Sequence, residues 1–70
     1  MPYTYTTQAQ IRAAFWQAHP DAYMTARARG TVTKGQNAQI TDTRCAFTDY
    51  VDMLQRDGQI SEALAGRVAL

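Results

Sequence analysis

Apolar residues recur along this chain at the spacing of helices. Ile11, Ala14, Phe15 and Ala18 fall at i, i+3, i+4 and i+7, one face of a helix. Thr7 stands before this run with Gln10 three residues on, a capping box in which hydroxyl and amide satisfy each other's backbone donors. Pro20 disfavours a helical backbone at His19, so the first helix is expected to stop near Ala18. Pro20 also suits the first position of a second helix, through Asp21, Ala22, Tyr23 and Met24 to about Ala28, closed by Gly30.

The strongest periodicity comes later. Phe47, Tyr50, Val51 and Leu54 share one face of a helix capped by Thr41 or Asp42 and running to about Asp57, with Cys45, Ala46 and Met53 beside that face. Gly58 supplies the left-handed residue that ends this helix, and Ile60 just beyond can fold back as its apolar contact. Ser61 then caps a last short helix whose Leu64 and Val68 face inward. Between the two helical regions, residues 30–40 (GTVTKGQNAQI) break the pattern with two glycines and a β-branched run, and are expected to form a long irregular loop. The opening YTYTT alternates like a strand without a partner. Residues 1–6 are therefore expected as an extended arm that packs Tyr3 or Tyr5 on the surface. The expectation is an all-α domain spanning residues 1–70, three or four helices with the Phe15 face against the Phe47–Leu54 face.

Composition narrows what such a domain can do. Seventy residues, 46% hydrophobic and 19% charged, bury only about 60% of the surface of the unfolded chain. Few side chains remain for a deep pocket, which argues against catalysis. No apolar run approaches the roughly 18 residues of a membrane span. Cys45 has no partner for a disulfide, and the start of the chain lacks the basic and apolar regions of a signal peptide. A reducing cytoplasm is the expected setting.

The net charge of +1 hides a division. Five cations against two carboxylates leave +3 over residues 1–44, and two against four leave −2 over residues 45–70. The cations Arg27, Arg29, Lys34 and Arg44 surround the irregular middle segment. Phosphate binding would use such a patch, but the best helix carries Asp42, Asp49, Asp52 and Asp57, which repel phosphate.

Candidate chemistry is sparse. His19 is the only histidine, with neither a nucleophile nor a second ligand beside it, and reads as a helix-ending side chain that caps carbonyls. His19 and Cys45 fall short of the three ligands a metal site needs. Asp49 and Asp52 read as solvated helix charges. No cofactor or metal is implied. Trp16, next to Phe15 on the first helix, falls at the margin of the core, as a lid over it or as a binding residue. Tyr23 and Met24 share that ambiguity.

The segments QIRAAFWQAHP (10–20), TDTRCAFTDYVDMLQRDGQIS (41–61) and LAGRVAL (64–70) resemble a family of small proteins encoded in phages and prophages of proteobacteria. The resemblance implies a phage-associated origin and an intracellular setting, and assigns no functional residue. By analogy it brings in small inhibitors of bacterial defence, anti-CRISPR proteins among them. The function expected is a stoichiometric binder that docks on a host protein through Trp16, Tyr23, Arg27, Arg29, Lys34 and Arg44. Two alternatives stand beside it. One is a nucleic-acid-binding regulator using the same arginines. The other is a self-assembling protein, a homodimer or larger, joined by a seam of Met53, Val68 and Leu70.

Overall fold

A computed structural model describes residues 3–70, as four α-helices and one short 3₁₀ turn, with no strand among the described residues. The helices are α1 (Gln8–Ala18), α2 (Pro20–Arg29), α3 (Thr41–Arg56) and α4 (Glu62–Ala65). The all-α expectation holds. Of the arm, Met1 and Pro2 lie outside the described residues. The Tyr5 N–H donates to the Gln59 carbonyl at 3.2 Å, which ties the arm to the turn after α3.

Helix ends follow local chemistry at most positions. Thr7 caps α1, its hydroxyl accepting the Gln10 N–H at 3.2 Å while the Gln10 side chain accepts the Thr7 N–H at 3.1 Å. His19 closes α1 and, as the residue before Pro20, also opens α2. The Gly30 backbone is left-handed, φ 70°, and beyond it the Thr31 N–H reaches back to the Ala26 carbonyl at 2.8 Å. After α3, Gly58 repeats this closure at φ 75°, its own N–H donating to the Gln55 carbonyl and that of Gln59 to the Leu54 carbonyl. One expected cap differs. Ile40, not Thr41 or Asp42, is the N-cap of α3, and it makes no side-chain cap bond. Ile40 is half-buried, so packing has overridden the preference for a polar cap.

The core forms where α1 meets α3. Ile11 and Phe15 from α1 pack with Phe47, Val51 and Leu54 from α3, and Ile60 and Leu64 close the far end. The rings of Phe15 and Phe47 meet edge to face at 5.1 Å. Each such side chain contributes about 1.5–3 kcal/mol by leaving water. Val68 faces inward as expected, and it and Leu70 pack half-buried against this core.

The middle segment has order of its own. Gln36–Ala38 form the 3₁₀ turn, and Gln39 is 5% exposed. Its amide donates to the carbonyls of Thr31 and Gly35 and accepts from the Thr31 hydroxyl. This side chain substitutes for a ladder of backbone bonds. Among the described residues no buried side-chain polar atom lacks a partner.

Candidate functional site

Trp16 sits one position past Phe15, about 100° around α1, and is half-buried at the edge of the core. Its ring meets Phe15 edge to face at 5.2 Å and reaches Tyr23 of α2 at 5.9 Å, the two planes inclined at 65°. Tyr23 keeps 37% of its surface in solvent. Arg27 follows Tyr23 by four residues and shares its side of α2. Trp16, Tyr23 and Arg27 therefore form one continuous edge.

Of the other three expected residues, Arg29 and Arg44 lie apart from this edge, and Lys34 stands between Thr33 and Gly35 of a groove that opens beside Trp16. Arg29 is two residues beyond Arg27, roughly 200° around the helix, on the flank that Ala22 and Thr25 turn toward the start of α3. Lys34 is exposed in the segment between α2 and α3. Arg44 lines a separate hollow with Gln36, Cys45 and Asp49. The cations that the sequence clusters are thus spread over several faces.

The edge continues into a groove of about 400 Å³ that sequence reasoning missed. Ala9, Arg12, Trp16, Val32, Thr33 and Leu70 line it. Arg12 shapes this groove: its Nε donates to the Ala69 carbonyl at 2.6 Å and its Nη2 to Gln8 Oε1 at 3.0 Å. Arg12 stands four residues before Trp16, and that spacing was the available signal. Leu70 gave none, because it meets Trp16 only through the tertiary fold.

His19 occupies a different place. Its ring stacks on Phe15 at 4.4 Å, and Nδ1 lies 3.0 Å from the Phe15 carbonyl. A carbonyl only accepts, so the proton of this bond is on Nδ1. The capping role expected for His19 is the one observed. Tyr50 meets the His19 ring edge to face at 5.5 Å. Burial, with the neighbouring Tyr5 phenol in support, holds the Tyr50 hydroxyl above its ordinary titration range.

Among the described residues no three His, Cys, Asp or Glu side chains gather as metal ligands, and no helix is long and apolar enough to cross a membrane. Cys45 is exposed and unpaired. No family model, curated protein or solved structure matches the chain.

Proposed function

We propose that this chain is a stoichiometric binding protein: a phage accessory factor that docks on a host bacterial protein in the cytoplasm and blocks its activity. The observation that carries the reading is the edge where Trp16 meets Tyr23 beside Arg27 and the Arg12 groove. Trp, Tyr and Arg dominate binding hot spots, because large rigid side chains bury much surface while losing little conformational freedom. Catalysis has no place in the proposal. The one imidazole is stacked on Phe15 and bonded within its own helix. Inhibitors of bacterial defence, anti-CRISPR proteins among them, are the class this role suggests by analogy.

The test is capture from host lysate followed by reconstitution with the purified captured protein. A complex of fixed stoichiometry is expected, weakened about tenfold or more by Tyr23→Ala combined with Arg27→Glu. Absence of any reconstituted complex, or one indifferent to both substitutions, refutes the reading. A mobility-shift series with DNA and RNA is the control. Retention that fades as salt rises would transfer the arginines to the nucleic-acid reading.

A further inference from the structure

The groove beside Trp16 has a chemical opposite on the same molecule. Its walls are apolar (Ala9, Trp16, Val32, Leu70), Arg12 supplies a charge, and no Asp or Glu lines it. Lys34, next along the chain from Thr33, is exposed at its margin. On the outer side of α3, Met53 keeps 38% of its surface in solvent. Asp49 lies one turn before Met53, Asp57 one turn after it, and Asp52 beside it, with Arg56 as the cation of this patch. All three aspartates are exposed. One surface is an apolar trough edged by cations. The other is an apolar side chain set among carboxylates.

We propose that the groove takes the Met53 face of α3 from a second copy of this chain. The two surfaces share no residue, so the association is heterologous: each copy offers its groove to one neighbour and its Met53 face to another. Such contacts close into rings or extend head to tail. Charge sets the direction, because Arg12 and Lys34 stand at the groove while Asp49, Asp52 and Asp57 surround Met53. The attraction weakens with salt, as both charged rims face water. An interface of standard size takes about 800 Å² from each partner. That is roughly a sixth of the 4649 Å² this molecule exposes, so two such faces fit on one copy. A second copy and a host target would compete for this groove, and the purified chain alone tests the self-association.

Sedimentation velocity of the full chain, from micromolar to millimolar and at low and high salt, is the first measurement. Self-association that strengthens with concentration and weakens with salt is expected. Two substitutions at exposed positions then separate the halves of the contact. Thr33→Glu puts a carboxylate into the groove, and Met53→Glu removes the apolar anchor. Each variant alone should associate at least tenfold more weakly, with a circular dichroism melt like that of the parent. Mixed in equal amounts, they should form a one-to-one dimer that grows no further, because one intact groove and one intact Met53 face remain. A parent chain monomeric at millimolar concentration and low salt overturns the proposal. So does association that survives either substitution, or a mixture of folded variants that stays monomeric.

Discussion

α2 and α3 are both regular helices, yet they are held in place by different means. α3 buries Thr43, Phe47, Val51 and Leu54 along one stripe, whereas α2 fully buries Ala26 alone. The side chains of α2 do little to fix it against the core, and Met24 keeps 59% of its surface in solvent. Its ends hold it instead. Pro20 starts it immediately after α1, and Gly30 and Thr31 close it onto the Ala26 and Arg27 carbonyls. The Gln39 amide then anchors the chain that follows. The lesson is a division of labour. α3 contributes the burial that makes the fold stable, and α2, attached at its ends, is left free to present side chains outward.

This division can be broken from either side. Phe47→Ala should be the most damaging change, removing the ring that packs edge to face on Phe15. A loss of about 3–5 kcal/mol is expected in urea unfolding, enough to leave a domain this small largely unfolded. Gln39→Ala should cost about 1–3 kcal/mol, because the Thr31 and Gly35 carbonyls lose their side-chain donor. Hydrogen exchange should then speed up in residues 31–39 and at the end of α2 while the Phe47–Leu54 stretch stays protected. Uniform loss of protection would show that the two regions are not separable.

Tyr50 sharpens the contrast on the α3 side. Its folded-state pKa is raised, so the folded protein keeps a proton that the unfolded chain releases. The full contribution is present below the ordinary tyrosine range near pH 10 and is lost as pH climbs through the raised value. Stability should fall above about pH 10 in the parent, and less steeply in Tyr50→Phe, as followed by melts across an alkaline series. Met24→Ser should matter least, within about 0.5 kcal/mol, since α2 draws no stability from that face.

Features legible in the sequence are those settled within a few residues of themselves. The Thr7–Gln10 pair, the Pro20 start, the closures at Gly30 and Gly58 and the Ser61 cap each need only their own turn of backbone. The apolar stripe of α3 was equally plain, because no other arrangement hides Phe47, Val51 and Leu54 together. Gln39 was not legible. A glutamine in a glycine-bearing loop looks solvated until the fold brings the Thr31 and Gly35 carbonyls around it. The α3 cap falls on Ile40 rather than on Thr41 or Asp42 for a related reason, since capping preference is local and burial is not. Within the candidate site, Trp16, Tyr23 and Arg27 were identifiable as a residue set, but only the packing of α1 on α2 makes them one edge. Arg12 and Leu70 depend on a bond between residues 57 positions apart, beyond what periodicity reports.

The single-residue elbow at His19 has a further consequence for evolution and engineering. Because α2 begins directly after it, one inserted residue would turn the whole helix by about 100° and swing Tyr23 away from Trp16. Such an insertion would leave the α1–α3 core residues in sequence register while dismantling the aromatic edge. Variants of this chain that keep the edge should therefore conserve the length of this junction more strictly than the identity of the surface residues beyond it.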